Sequence, residues 1–499
     1  MEKFDGSTPL TIKAERSRSF DLIVVGGGSG LNVAAAAAKK GLKVAVIEPG
    51  PLGGTCLNRG CIPSKMFIET GEIAEKIKRA ALFGLDAEFK GEDFPAIVGR
   101  TMGFVDEEAA GIEEAIKANP KYTLFKKFAH FTGPKTLMVG AEEIEGEKII
   151  IAAGTRPSVP PISGLDKTAY QTSDTIFRLT ELPKRMVFIG GGYISCEMAS
   201  FFGNLGSQIT VIDRGNLLIS NEDEEIAQKF TEVFSRQYQV VSNATVAEVS
   251  GPLTSAGVQT GEVKIRVTVG NQSQEIVGDV LFVAAGRVPN TDSLGCKEAG
   301  YALNERGYLV VNEYMETSVP GVWALGDIVG KAPFKHGANY EARIVAQNIF
   351  ADDGKKAAAD YRVMPHAVYS SPQVAGVGLR EQDLKEKKMD YAVGRYPYIK
   401  TGMGKALQDE EGFVKVLADP KTRKILGAHI LGTDASVLIH ELVVVLTAAG
   451  GDLDAIKNSI HIHPALSEVV QRAVNAVSFD GPAAAAGKTL MERTSEQRL

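Results

Sequence analysis

Cysteine is scarce: Cys56, Cys61, Cys196 and Cys296 are the only four in a chain of 499 residues. That excludes a small scaffold stapled by disulfides and fits a reducing cytoplasmic compartment, where a disulfide is catalytic rather than structural. Long apolar runs are missing too. No stretch reaches ~18 residues, so neither a membrane-spanning helix nor a membrane partner is expected. Met1 to Phe20 lacks an apolar signal core and carries Glu2, Asp5 and Glu15, which argues against a secretory or organellar leader. Positive charge is not in excess either. A net charge of −6 gives no footprint for nucleic acid or an anionic membrane, both of which need clustered Lys and Arg. No metal site is expected. What remains is ordinary globular composition, and the length predicts about three domains.

Two glycine-rich turns organise the first half. Asp21-Leu22-Ile23-Val24-Val25 reads as a buried strand, Gly26-Gly27-Gly28-Ser29-Gly30 as a tight loop, and Val33 to Lys40 as an alanine-rich helix. The strand Lys43 to Ile47 ends at Glu48, 22 residues after Gly26. Such a βαβ unit binds a dinucleotide: glycines admit the pyrophosphate to the helix N-terminus, and the distal carboxylate accepts from a ribose hydroxyl. Leu31 stands where a third glycine is usual, so helix and strand are expected to pack slightly further apart there. The pattern returns 164 residues later. Lys184 to Ile189 leads into Gly190-Gly191-Gly192-Tyr193-Ile194-Ser195, a helix runs through Phe202, and the strand Gln208 to Ile212 ends in Asp213. Two fingerprints predict two dinucleotides.

Between them lies Gly53-Gly54-Thr55-Cys56-Leu57-Asn58-Arg59-Gly60-Cys61-Ile62-Pro63-Ser64-Lys65. In a regular helix, residues five apart have Cα atoms roughly 8 to 9 Å apart on different faces, so a disulfide between them needs a distorted first turn. Gly60 can supply the bend, Gly53 and Gly54 let backbone approach closely, and Pro63 is tolerated once the turn regularises. Lys65 shares a helical face with Cys61, and its ammonium and the helix N-terminus would both stabilise a thiolate. A pair of small buried hydrophobes is the bland reading; redox or metal chemistry is the sharper one.

Ile151 to Pro157 and Ala284 to Asn290 each read as a strand end followed by a turn, suited to domain crossings. Gly321 to Asp327 sets an acid directly after a strand and a glycine, either to bind a ribityl or ribose hydroxyl or to cap a helix. From Tyr361, short β-like runs (His366 to Tyr369, Gly412 to Leu417, Ile425 to Leu431) alternate with helices at Ala435 to Ala449 and Leu466 to Val477, an α+β pattern. His461-Ile462-His463-Pro464-Ala465-Leu466-Ser467-Glu468 stands near the end. Pro464 suits the first helical position, which puts His463 at the helix entrance and Glu468 about one turn further in. That carboxylate would orient the imidazole for general acid/base work; a capping histidine is the alternative.

Both glycine fingerprints, the Cys56 to Cys61 loop, the Trp323 to Asp327 motif and the His463/Glu468 ending occur in the order of the flavin-dependent pyridine nucleotide-disulfide oxidoreductases, which the chain resembles from residue 20 to residue 480. The resemblance implies an α/β fold: two Rossmann-like dinucleotide-binding domains plus a C-terminal α+β dimerisation domain. FAD-binding segments would be 1–155 and 286–360, the NAD(P)-binding domain 156–285, the dimerisation domain 361–480 and a tail 481–499. FAD would lie among Gly26, Gly28, Gly30, Glu48, Gly54, Thr55, Lys65, Gly154, Gly326 and Asp327. NAD or NADP would lie among Gly190, Gly192, Tyr193, Glu197, Asp213, Arg214 and Gly286. By the same resemblance Cys61 is the thiolate against the flavin and Cys56 the sulfur that exchanges with substrate. Lys65 and Glu197 form an ion pair near the flavin, and Tyr193 covers the nicotinamide pocket. His463, held by Glu468, moves the substrate proton from the partner subunit of a homodimer.

Two branches of that family compete. The paired histidines with Leu466-Ser467-Glu468 resemble dihydrolipoamide dehydrogenase, whereas Phe131-Thr132-Gly133-Pro134, Thr172-Ser173-Asp174-Thr175 and His336 to Arg343 resemble mycothione reductase. The expected reaction is oxidation of dihydrolipoamide, free or on a lipoyl domain, by NAD. The alternative is NAD(P)H-dependent reduction of a low-molecular-weight thiol disulfide. Asp213 favours a free ribose 2′-hydroxyl and Arg214 a 2′-phosphate, and the acid is expected to prevail. Reductases of the mercuric and high-molecular-weight thioredoxin types need a further C-terminal redox group, and no cysteine follows Cys296. A flavoprotein scaffold would not need Cys56, Cys61, Lys65, Glu197, His463 and Glu468 together.

Overall fold

The computed structural model describes residues 18–252, 261–351 and 354–479. The expectations for Met1 to Phe20 and Gly481 to Leu499 fall outside the described residues, except that Arg18 to Phe20 open the first strand. The chain falls into two compact units, each assembled from three segments; it passes between them within 58–59, 106–107, 156–157, 287–288 and 359–360.

The first unit is built on a seven-stranded sheet. Its parallel centre runs Tyr122–Phe125, Val44–Ile47, Arg18–Val25, Glu142–Ile151 and Val322–Ala324, with Leu22 beside Val44 and Lys148 in register. Two further strands, Thr136–Val139 and Ala129–Gly133, continue antiparallel from Glu142–Ile151. Central strands of such a sheet are covered on both faces and read as continuous apolar runs, and Leu22, Ile23, Val24, Ile149, Ile150 and Ile151 are all fully buried. Trp323 sits in the last strand at 9% exposure. The helix Gly30–Lys39 buries Gly30, Val33, Ala34 and Ala37, the i, i+3, i+4, i+7 stripe that an amphipathic helix turns to a core. The close packing required of a third glycine falls on Gly30 rather than at Leu31. A Cβ on Gly30 would meet Val24 Cγ1 at 2.8 Å and Ala152 Cβ at 2.9 Å, while Leu31 packs half-buried on the core.

In the second unit a four-stranded parallel sheet runs Gln239–Val241, Gln208–Ile212, Arg185–Ile189, Val280–Val283. The helix Tyr193–Leu205 follows its second fingerprint and is buried along most of its length from Ser195 on. The helix Glu224–Gln237 is capped by Asp223, whose carboxylate accepts from the Glu225 N–H. The chain also builds a five-stranded antiparallel sheet, in the order His366–Val368, Val374–Gly378, Ile425–Leu431, Phe413–Ala418, Ala392–Pro397. The helices Ala435–Ala448 and Glu468–Asn475 belong to this α+β part. Register across the sheet aligns His366, Gly376, His429, Lys415 and Arg395 in one row, and residues opposite one another share a face.

Candidate functional site

The first glycine loop is held by its own distal acid. Glu48 Oε2 accepts from the Gly27 N–H at 2.8 Å and Oε1 from the Gly50 N–H at 2.9 Å. Gly54 lies against the same loop, where a Cβ would fall 2.8 Å from Gly28 Cα, so only bare backbone fits. Gly26 has φ +113°, and a Cβ there would strike the Ala152 carbonyl oxygen at 2.3 Å. This is a cradle shaped for a pyrophosphate at a helix N-terminus, and the residues present fit the adenosine half of FAD. Thr55 follows Gly54 in the short helix Gly54–Arg59.

Asp327 lies inside the 3₁₀ turn Gly326–Ile328, whose N-cap is Leu325, so it does not cap a helix. The Thr155 hydroxyl donates to Asp327 Oδ2 at 3.2 Å. Gly154 precedes it at φ +64°, with nothing within 4 Å of where a Cβ would stand. Two residues that motif reading did not single out for the site secure this region. Fully buried Glu341 accepts from the Gly326 N–H at 2.6 Å, and Lys335 Nζ donates to Ser29 Oγ at 2.9 Å, bringing a cation to the first loop. Both lie in or beside the His336 to Arg343 run, but only the fold brings that run against the glycine loop.

The cysteine segment breaks where the glycine allows it. Gly60, at φ −145° and ψ −118°, separates the helix Gly54–Arg59 from the helix Cys61–Lys78. Cys56 is half-buried, and Cys61 is exposed as the first residue of its helix. One turn on, Lys65 Nζ reaches both oxygens of Glu197 at 3.0 and 2.9 Å and lies 4.3 Å from the Tyr369 ring centroid. Glu197 is 5% exposed and also accepts from the Tyr369 N–H at 2.9 Å, so a buried carboxylate is doubly satisfied. Arg59 is met by Asp174 at 3.6 Å.

The second fingerprint repeats the logic of the first. Asp213 accepts from the Gly191 N–H at 2.5 Å and from the Gly215 N–H at 2.6 Å. Gly190 has φ +107°, and a Cβ there would lie 2.5 Å from the Ala284 carbonyl oxygen. Gly192 leaves open space, and Gly286 has φ +118°. A pocket of about 100 Å³ opens at this loop, lined by Gly191, Gly192, Tyr193 and Asp213 together with Ile219 and Glu222. Tyr193 is 42% exposed at its edge, and Arg214 is exposed. The geometry suits a second dinucleotide.

Also in the second unit, Glu468 is the first residue of its helix and Pro464 precedes that helix by four residues, after a cis His463–Pro464 peptide. The proline therefore shapes the approach and does not start the helix. The intended pairing forms all the same: His463 Nδ1 lies 3.0 and 3.2 Å from the Glu468 oxygens, and Glu468 also accepts from the Ala465 N–H. The hydrogen bond from His463 holds the Glu468 carboxyl below its ordinary range. The side chain of His463 is 76% exposed and that of Glu468 9%. His461 differs: its side chain is 8% exposed, with Nε2 on Glu441 at 2.7 Å and Nδ1 3.2 Å from the Ser459 carbonyl oxygen.

The basic row of the five-stranded sheet meets the acids that start the helix Glu224–Gln237. Lys415, fully buried, pairs with Asp223 at 2.7 Å, Glu225 at 3.1 Å and Glu381 at 2.6 Å. Arg395 takes Glu225 at 2.8 Å, and His366 takes Glu222 at 2.7 Å. Burial works against its charge, yet His429 and Lys415 draw the Asp223 carboxyl down to about 2. Burial pushes the His429 imidazole down.

The chain matches the pyridine nucleotide-disulphide oxidoreductase family over residues 20–348 and the dimerisation domain of that family over 364–474. It is 36% identical over 470 residues to mycothione reductase of Mycobacterium tuberculosis, covering 91% of this chain and 99% of the relative. It is 34% identical to mitochondrial dihydrolipoyl dehydrogenase 1 of Arabidopsis thaliana, covering 96% and 94%. A Cu(II) complex of the HOCl-induced flavoprotein disulfide reductase RclA from Escherichia coli superposes with a TM-score of 0.81 at 29% identity, covering 92% of this chain and all of that one. Such proteins bind FAD and NAD(P) and act on sulfur groups, and the dimerisation domain indicates a homodimer. With both of its parts matched, from the first glycine loop to the His463/Glu468 helix, the chain belongs to the pyridine nucleotide-disulphide oxidoreductases.

Proposed function

We propose that this enzyme oxidises dihydrolipoamide with NAD, passing the electrons through the Cys56–Cys61 pair. FAD, when bound, supplies the two-electron relay between that pair and the nicotinamide. The chain's own residues account for the sulfur chemistry. One substrate thiol gives its proton to His463 Nε2; the thiolate attacks Cys56 in the disulfide, and Cys61 leaves as a thiolate at its helix N-terminus. The second substrate sulfur attacks the first, closing the lipoyl ring and breaking the mixed disulfide, and its proton passes to the departing Cys56 sulfur, so two electrons and two protons leave the substrate.

The observation that carries this reading is the state of His463. Glu468 engages Nδ1 while the side chain stays 76% exposed, which leaves Nε2 to work on something outside its own subunit's core. That is what an acid/base shared across a two-fold interface requires. Support for a lipoyl substrate comes from Arg59, the redox loop's one basic residue before Cys61, whose charge is already met by Asp174. Exposed Ile460 and Ile462 flank the histidines with apolar surface, which suits an uncharged arm better than a carboxylate-bearing disulfide. The 36% identity to a mycothione reductase keeps one alternative in play, a thiol disulfide reduced by NAD(P)H. Steady-state assays with dihydrolipoamide plus NAD, against a panel of thiol disulfides plus NADH or NADPH, separate the two. Turnover at about ten per second or faster is expected with dihydrolipoamide. Inert dihydrolipoamide beside one rapidly reduced thiol disulfide would overturn the substrate and leave the chemistry standing.

A further inference from the structure

The pocket at the second glycine loop has two carboxylates in its walls, and the family fingerprint accounts for only one. Asp213, at the strand end, is occupied by the N–H groups of Gly191 and Gly215 and so keeps its own loop in shape. Glu222 lies nine residues further on and lines the same pocket. Among the described residues these are the only charged side chains lining it.

Glu222 reaches that wall by an expensive backbone route. Ile219 has φ +44°, a conformation that a β-branched residue rarely adopts, and it persists because the Ile219 N–H donates to the Gly191 carbonyl at 2.8 Å. The Glu222 N–H then donates to the Ile219 carbonyl at 2.9 Å, curling the segment back over the glycine loop. Glu222 is 7% exposed, and its carboxylate is held by His366 Nε2 at 2.7 Å. Its neighbours Asp223 and Glu225 are fixed on Lys415 and Arg395, so three acids of one short run dock on three bases of one row across a sheet. Arg214, next to Asp213, is exposed and does not line the pocket, and Arg380 is committed to Asp383 at 2.6 Å and to the Asn221 carbonyl at 2.8 Å. With or without a proton on His366, the Glu222–His366 pair is neutral or negative and never positive.

We propose that Glu222, positioned by His366, is a second nucleotide-selecting residue, and that it rejects a nucleotide carrying a phosphate on its adenosine ribose. This rests on the reading of the pocket as the nicotinamide nucleotide's. A 2′-phosphate brings close to two negative charges toward a wall whose charged side chains are both carboxylates, whereas a free 2′-hydroxyl can donate to one of them.

Calorimetry on the flavin-loaded enzyme with ADP-ribose and 2′-phospho-ADP-ribose tests this without turnover. The wild type is expected to prefer the unphosphorylated probe by at least about tenfold. Glu222→Gln, which keeps the hydrogen bond to His366, should narrow that preference about tenfold, equal to about 1.4 kcal/mol. Glu222→Ala should move it the same way. If Asp213→Asn shifts the preference and both Glu222 variants leave it within twofold, Glu222 is not a selector although the pocket is correctly read. If neither probe binds the wild type, or no variant at either position alters binding of either probe, the pocket assignment fails and the proposal with it.

Discussion

Replacing the two histidines one at a time should separate chemistry from architecture. The His463 side chain is 76% exposed and its one hydrogen-bonding partner among the described residues is Glu468, so His463→Gln removes little packing and can still donate to that carboxylate. A substitution at so exposed a side chain is expected to change stability by no more than about 0.5 kcal/mol. The imidazole's proton transfer, however, is lost. That costs ~10²- to 10⁴-fold in the dithiol half-reaction, or about 2.7 to 5.5 kcal/mol of barrier at 1.36 kcal/mol per tenfold. His461→Gln should do the reverse. Its ring is 8% exposed and engaged at both nitrogens, so the change leaves Glu441 poorly partnered and costs about 1–3 kcal/mol of stability. Stopped-flow absorbance measures flavin reduction by NADH and flavin reduction by dihydrolipoamide separately, and thermal melts give the stability. His463→Gln should keep the first rate and the melting temperature while losing the second rate. If both half-reactions slow equally, or if His461→Gln slows the dithiol step as much, the acid/base assignment is refuted.

Cys61→Ser should abolish the long-wavelength absorbance that develops on two-electron reduction of the flavin-loaded enzyme; a band of undiminished strength would show that another sulfur faces the flavin. Lys415→Met should destabilise the protein by about 3–5 kcal/mol, because it leaves Asp223 and Glu381 buried around a missing cation, and a denaturant midpoint unchanged from wild type would contradict this. Acid should weaken the same cluster: Asp223 is held at about 2 against an unfolded value near 3.9, so its contribution is complete above about pH 4 and fades as pH falls toward 2.

The dinucleotide units were legible because their signals are local. A buried strand needs an apolar run, the turn after it needs glycine, and the carboxylate ends the next strand; all three are written in consecutive residues around Gly26 and Gly190. The Cys56–Cys61 segment was legible for the same reason, with Gly60 marking the break between its helices. Two interface strands escaped notice. Val374–Gly378 is interrupted by Gly376, where a Cβ would meet the His366 ring at 2.8 Å, and Ala392–Pro397 carries a glycine and ends in a proline. Pro464 misled, because a proline before a helix is compatible with either its first turn or the approach to it. Glu222 and the row from His366 to Arg395 could not be read at all: register between strands decides which residues share a face, and no short window of sequence encodes it.

Trp323, the chain's only tryptophan, gives the protein a built-in optical reporter. It lies in the parallel sheet of the first unit, in register with Ile150 and 9% exposed, so its emission follows the integrity of that sheet and is blind to melting confined to the second unit. Circular dichroism sees both. Where the two signals trace one unfolding curve, the units melt together; where they part, the gap between the curves measures how far one folded unit outlasts the other.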